Sequence, residues 1–531
     1  MTEHRKHDAE TAVAVSASNG TYIGFAAGGV RRFLGVPYAT AARWQRPKAP
    51  ETDAKTRVEA LRYGPSPWQD DGPGCAFMPA GRDADCLNLN LFLADSDEKK
   101  RPVMVWIYGG AQIAGDNVGM HAFAPGMPEL RYDGGVFVRE NPDVILAVPN
   151  YRVGLWGSMD LSCLEGAGEE YRESANLARL DILQCLHWLR ENIAAFGGDP
   201  ENITLFGQSA GSSNITALML MPEAKGLFQK AICQSSFAMD ISLTSQTDCR
   251  RVSEALFERL GCKTLAAALQ KTDAELLDAQ RALAAASMNG SSAFSDIESK
   301  LFSPVVDGVV IPADYWDRFL HGGSAGIRFL GGTNAGEYDQ QFQPLPDAQA
   351  ARRFAVAQNW GKLDPVRGFA PEVTDRFLGN DTDCRSAFEA CEDLKADLYL
   401  RMGAMAWALV CSQFGNAYLY HLALPRPGAR RFAHGEEIPM LFGTDETTPE
   451  EAQRALRAAW CAFARSGDPN CPELGTFWAP FTAEGWETLL LSDAPRMVPG
   501  VRPADCALLL PLLREARTYP EFAALCARYG K

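Results

Sequence analysis

Short apolar runs, separated by helix-like stretches, limit what this chain can fold into more than any other feature. Val103 to Tyr108, Asp143 to Val148, Ile203 to Phe206, Lys230 to Cys233, Ile327 to Leu330 and Ala417 to Leu422 read as strands buried on both faces. Between them lie segments with apolar residues at helical intervals. The clearest runs from Asn176 to Phe196 and ends on Phe196-Gly197-Gly198-Asp199-Pro200, which stops a helix and turns the chain. Such an alternation predicts a mostly parallel, doubly wound sheet flanked by helices. Ser18-Asn19-Gly20 suits a hairpin turn, so a small antiparallel sheet is expected in the first forty residues. Helical segments such as Asp273 to Ala286 interrupt the rhythm over about residues 240–325, and others do so over about 345–410. Both stretches are read as helical insertions capping the sheet, where specificity would reside. No repeat or low-complexity linker marks a boundary, so residues 1–531 are read as a single domain with a disordered tail over 1–10.

Composition removes several classes of function. The 531 residues are 47% hydrophobic, enough for a large core. A formal net charge of −15 argues against a nucleic-acid partner, because phosphate binding needs clustered Lys and Arg. Residues Met1 to Glu10 are polar and lack a signal-peptide core, and no segment approaches the roughly 20 apolar residues of a membrane span. A cytoplasmic location is therefore expected, although a secreted mature form would carry the same sequence. The 14 cysteines include no Cys-x-x-Cys pair and no neighbouring histidine spacing suited to zinc, so no metal and no cofactor is expected. Cys75 with Cys86 and Cys249 with Cys262 are close enough in sequence to bridge; in a reducing compartment free thiols are the expected state. Oligomeric state is not encoded in any pattern.

The chemistry is concentrated in one segment. Strand Ile203 to Phe206 runs into Gly207-Gln208-Ser209-Ala210-Gly211, and a helix-like stretch from Ser212 to Met219 follows. Strand, tight turn and helix are the context that turns a G-x-S-x-G pattern into a nucleophile elbow. The glycines two before and two after Ser209 let neighbouring chains approach closely. Without that context, a Gly/Ser-rich turn would be the better reading.

A serine hydroxyl needs a base, and in this arrangement the base comes last in the chain. Only His321, His421 and His434 follow Ser209. His421 sits inside a strand-like run and His321 before a Gly-Gly loop, whereas His434 lies in the loop Phe432-Ala433-His434-Gly435-Glu436-Glu437 after the last of those strands. His434 is the expected base. The carboxylate that orients it should follow a strand between the two, and Gly331-Gly332-Thr333-Asn334-Ala335-Gly336-Glu337 supplies Glu337, with Asp339 as the nearby rival. Asp307 reads as a turn residue. Backbone donors for an oxyanion are expected at the Gly109-Gly110-Ala111 turn that ends strand Val103 to Ile107, and at the residue after the serine.

At this point the chain resembles a known family, the type-B carboxylesterases, the cholinesterase-like branch of the α/β-hydrolases. Phe33-Leu34-Gly35-Val36-Pro37-Tyr38-Ala39 and Asp85-Cys86-Leu87-Asn88-Leu89-Asn90 look like the family's first two signatures. Asn150-Tyr151-Arg152-Val153-Gly154, the Phe-Gly-Gly-Asp-Pro segment, the elbow, His434-Gly435 and Arg465-Ser466-Gly467-Asp468-Pro469 follow in the family's order. The resemblance implies an α/β-hydrolase fold, a Ser209, Glu337 and His434 triad, oxyanion donors at Gly110, Ala111 and Ala210, and Cys75–Cys86 as family disulfide partners. A small-molecule ester is the implied substrate.

Three departures qualify that expectation. Gln208 stands where the family commonly carries Glu, so one buried negative charge beside the triad is expected to be missing. Ala111 replaces a third glycine, and the short loop from Cys75 to Cys86 contains no tryptophan to hold a choline cation. Two other readings stay open: a non-catalytic adhesion protein on the same fold, and a hydrolase of amide, thioester or carbamate bonds.

Overall fold

A computed structural model describes residues 10–122, 128–237, 242–288, 301–337, 393–394, 396–426 and 431–502. All six apolar runs become strands of one sheet, 13-stranded among the described residues. Its parallel core runs in the order Ile145–Pro149, Arg101–Ile107, Gly198–Gln208, Lys230–Gln234, Arg328–Asn334, Ala417–Leu422 and Glu487–Leu491. The central members, such as Lys230–Gln234 and Ala417–Leu422, are buried at every position. This is why they read as continuous apolar runs rather than as alternating ones.

The N-terminal strands depart from expectation in one respect. Thr11–Ala17 and Gly20–Ala27 pair as the predicted hairpin, Ala17 facing Gly20, but they form no separate sheet. Val30–Pro37 pairs antiparallel with Asn88–Ala94, which pairs antiparallel with Ile145–Pro149, so the hairpin extends one edge of the central sheet. The link was hidden because Asn88–Ala94 is wholly buried despite its polar letters. Asn90 resolves the conflict by donating to Asn117 O (3.0 Å) and accepting from Gly35 N (2.9 Å).

The predicted long helix is Leu177–Asn192, followed by a short 3₁₀ turn and closed by Gly197 at φ +86°. That left-handed angle is cheap for glycine and strained for other residues. Of the first expected insertion, the described part is mainly helical, with Gln246–Arg259, Leu265–Leu269 and Asp273–Met288, and Thr244–Ser245 pairs with Val305–Val306 in a short parallel sheet. Most of the second lies outside the described residues; within them, Met402–Ser412 forms a helix at its C-terminal end. Among the described residues, no helix is long and apolar enough to cross a membrane. Cys75, Cys86, Cys249 and Cys262 are free thiols, so neither bridge forms. The side chains face different surroundings: Cys86 and Cys262 pack into the main core, and Cys249 sits in a separate cluster with Ala175 and Val305.

Candidate active site

The site is assembled at the carboxyl ends of the parallel strands, where the chain leaves the sheet and side chains from several strands converge. Strand Gly198–Gln208 ends at Gln208 and helix Ala210–Leu220 begins at once, leaving Ser209 as the single residue of the turn. Ser209 has φ +56° and ψ −125°, a strained conformation for a residue with a side chain. Such strain costs on the order of 1–3 kcal/mol and persists only where the surroundings fix it. Here Ser209 N donates to Gln234 O at 3.0 Å, and Ser209 O accepts from Ser213 N at 3.0 Å.

The flanking glycines are required by contact. A methyl group on Gly207 would lie 2.4 Å from Ile107 O, and one on Gly211 would lie 2.0 Å from Ile107 O and 2.6 Å from Tyr108 O. The elbow is thereby pressed against the end of strand Arg101–Ile107 and the loop that follows it. Gly109 completes the contact, since a methyl group there would sit 3.2 Å from Ser209 Cβ.

Glu337 and His434 meet across two loops. His434 Nδ1 is 2.6 Å from Glu337 Oε2, and His434 N donates to Glu337 O at 3.1 Å. Glu337 is fully enclosed, and its other oxygen accepts from Ser235 Oγ (2.6 Å) and Asn334 N (2.8 Å). Three donors are thus directed at one carboxylate and fix its orientation. On its far side, His434 Nε2 lies 3.2 Å from Gln208 Nε2. With Nδ1–H given to Glu337, a neutral imidazole presents a lone pair at Nε2, and the Gln208 amide donates to it. The His434 ring therefore hangs between Glu337 and the residue adjoining Ser209.

The rival assignments fall elsewhere. His421 is buried with its Nδ1 3.3 Å from Thr333 Oγ1, and burial, followed by the charges of Arg401 and Arg431, holds its ring well below the usual histidine range. His321 is on the surface beside Asp317. Asp307 caps a turn, accepting from Val309, Val310 and Ile311 N. Asp339 lies outside the described residues.

Gly110, Ala111 and Gln112 all have left-handed backbone angles, φ +116°, +54° and +66°. Gly110 O accepts from both Ile113 N and Ala114 N at 3.0 Å, winding the loop into a tight turn. Among the described residues, the N–H groups of Gly110, Ala111 and Ala210 donate to no protein acceptor. These three N–H groups are left available to an acceptor from outside the chain.

Pattern reading missed a buried layer behind this site. Glu437 is enclosed, accepting from Gln234 Nε2 (3.0 Å) and Asn334 Nδ2 (2.6 Å). Burial, and after it the charge of Glu337, pushes its carboxyl up to about 7, against the pull of its amide donors. Gln208 puts an amide beside His434, and Glu437 adds a buried carboxyl, close to neutrality, on the far side of Asn334. Asn334 ties the layer together, since its Nδ2 also donates to Ala433 O at 2.8 Å beside His434. The sequence signal was position, because Ser235 and Asn334 lie at or just beyond strand ends and Glu437 follows His434 in its loop.

Fold and site together define a hydrolase of the α/β-hydrolase class. The carboxylesterase family model matches residues 11–509. Para-nitrobenzyl esterase of Bacillus subtilis is 30% identical over 500 residues, covering 90% of this chain and 94% of that protein. Liver carboxylesterase of Sus scrofa is 30% identical over 418 residues, covering 73% and 70% respectively. A solved structure of PNB esterase aligns with a TM-score of 0.73 at 29% identity, covering 92% of this chain and 97% of that one. The chain belongs to the carboxylesterase family and is a carboxylic ester hydrolase.

Proposed function

We propose that the protein cleaves small carboxylic esters through an acyl-enzyme on Ser209. The observation that carries this reading is the placement of His434, 2.6 Å from Glu337 on one side and 3.2 Å from the elbow residue Gln208 on the other. In the reaction, His434 Nε2 exchanges its bond with the Gln208 amide for the Ser209 proton as Oγ attacks the ester carbonyl. Gly110, Ala111 and Ala210 N–H groups bind the developing oxyanion, and Glu337 holds the imidazolium. Collapse of the tetrahedral intermediate breaks the bond to the alcohol oxygen, which leaves with the proton from His434. Water then attacks the acyl-enzyme with the same base, releasing the acid and restoring Ser209.

Choline esters fit poorly. Trp68, the tryptophan preceding the Cys75 to Cys86 loop, already carries the guanidinium of Arg82 5.5 Å over its ring and stacks on Trp156 at 6.2 Å. A second cation would have to displace the first. Uncharged esters, including the para-nitrobenzyl class named for the Bacillus relative, are the better substrates.

The test is a panel of p-nitrophenyl and p-nitrobenzyl esters, graded in acyl length, with acetylcholine and matched amides beside it. Hydrolysis of uncharged esters, lost by about 10⁴-fold or more in Ser209→Ala, is expected. A Ser209→Ala variant that keeps most of its rate would refute the nucleophile assignment. Amide cleavage faster than ester cleavage would favour the amidase reading.

A further inference from the structure

The oxyanion donors come from two separate pieces of chain, the Gly110-Ala111 loop and the first residue of helix Ala210–Leu220. Donors must be held within roughly 0.5 Å of their working geometry to be effective, so something must fix the spacing between the pieces. On the sheet side the spacing is set by close packing of Gly211 on Ile107 and Tyr108. On the other side a single side chain spans the gap. Gln112 is buried, and its Nε2 donates one proton to Ala210 O and the other to Asn214 Oδ1, each at 3.2 Å. Its own backbone O accepts from Gly154 N at 2.7 Å, anchoring the loop from behind.

We propose that Gln112 is a positioning residue that clamps the oxyanion loop to the nucleophile helix. This rests on the serine-esterase reading above. The backbone supports the assignment. Ala111 and Gln112 occupy left-handed angles in succession, φ +54° and +66°, although neither is glycine. Two such residues relax toward ordinary angles unless tied, and relaxation would swing the Gly110 and Ala111 N–H groups away from Ala210. Gln112 supplies the tie with both amide protons used, directed at acceptors on Ala210 and Asn214 in the first two helical turns. Its role is to hold donors, not to touch the reacting atoms.

The consequence is specific to the transition state. Loosening the clamp should spare substrate binding and weaken only the bond to the oxyanion. In Gln112→Met, of similar length but without donors, kcat should fall by about 10- to 100-fold while KM changes less than about threefold. Affinity for a trifluoromethyl ketone, which binds as a tetrahedral oxyanion, should fall by the same factor as kcat/KM. Asn214→Ala, which removes one of the two acceptors, should show the same pattern more weakly. The double variant should be no worse than Gln112→Met alone.

Unchanged kcat, or a loss of kcat with inhibitor affinity intact, would overturn the assignment. If Gln112→Met does not fold, Asn214→Ala decides by the same two readouts. Wild-type protein that no trifluoromethyl ketone inhibits would instead overturn the Ser209 reading, so the two failures are distinguishable.

Discussion

Replacing Gln208 by Glu places a carboxylate where an amide now donates to the base, and its effect can be worked from one distance. Gln208 Nε2 lies 3.2 Å from His434 Nε2, so a carboxylate oxygen there would contact the imidazolium directly. At an effective dielectric of about 20, opposite charges at that range attract by roughly 5 kcal/mol before desolvation is counted. Opposing this, the new charge joins the buried Glu337 and Glu437 carboxyls and pays for its own burial. Neighbouring charges of this kind move titrations by about 1–3 pH units, and the offsets place the expected change at about 1–2. The imidazole must be neutral to accept the Ser209 proton, and the carboxylate favours the protonated ring. The acidic limb of kcat/KM should therefore move to higher pH by that amount, and the natural Gln208 should sustain activity at more acidic pH. The assay is kcat/KM from pH 4.5 to 9, with product followed at a pH-insensitive wavelength. An unmoved limb, or one shifted to lower pH, would refute the electrostatic reasoning.

Three further outcomes follow from contacts in the site. Glu437 titrates near 7 when folded and near 4.5 when unfolded, so the native state keeps a proton that the unfolded chain loses between those values. Stability should fall as pH rises through that window, by at most ~3.5 kcal/mol, and chemical denaturation of Glu437→Gln should lack that component of the slope. Ser235→Ala deletes the 2.6 Å bond to Glu337 Oε1 and leaves Asn334 N in place; a loss of about tenfold in kcat/KM, with KM little altered, is expected from steady-state kinetics. Gly211→Ala puts a carbon 2.0 Å from Ile107 O, and urea unfolding should show a loss of at least ~3 kcal/mol, or no soluble protein.

What the sequence discloses depends on how directly a residue's letter reports its surroundings. The six parallel strands were legible because burial on both faces leaves no alternation to disguise them. The elbow was legible because Gly207 and Gly211 are demanded by contacts with a neighbouring strand, and few other residues could stand there. Strand Asn88–Ala94 was less so, since Asn88 and Asn90 look exposed yet are buried and satisfied within the fold. Gln112 carried no signal at all, because nothing in Ala-Gln announces two successive left-handed residues. Glu436 and Glu437 read as loop acids, while the fold buries both: Arg426 lies 3.4 Å from the first, and the Gln234 and Asn334 amides hold the second. Ser209, Glu337 and His434 could be proposed from residue type and order; the residues that hold them in place needed three dimensions.

The central claim is that Ser209 attacks and is itself acylated. Its most direct test is mass spectrometry of the protein after brief exposure to a labelled organophosphate, with the adduct mapped by proteolysis. The account predicts one adduct per chain, on the peptide containing Ser209, with loss of esterase activity in step with labelling and no adduct in Ser209→Ala. Stoichiometric labelling at another serine, or full activity in protein labelled at Ser209, would contradict it.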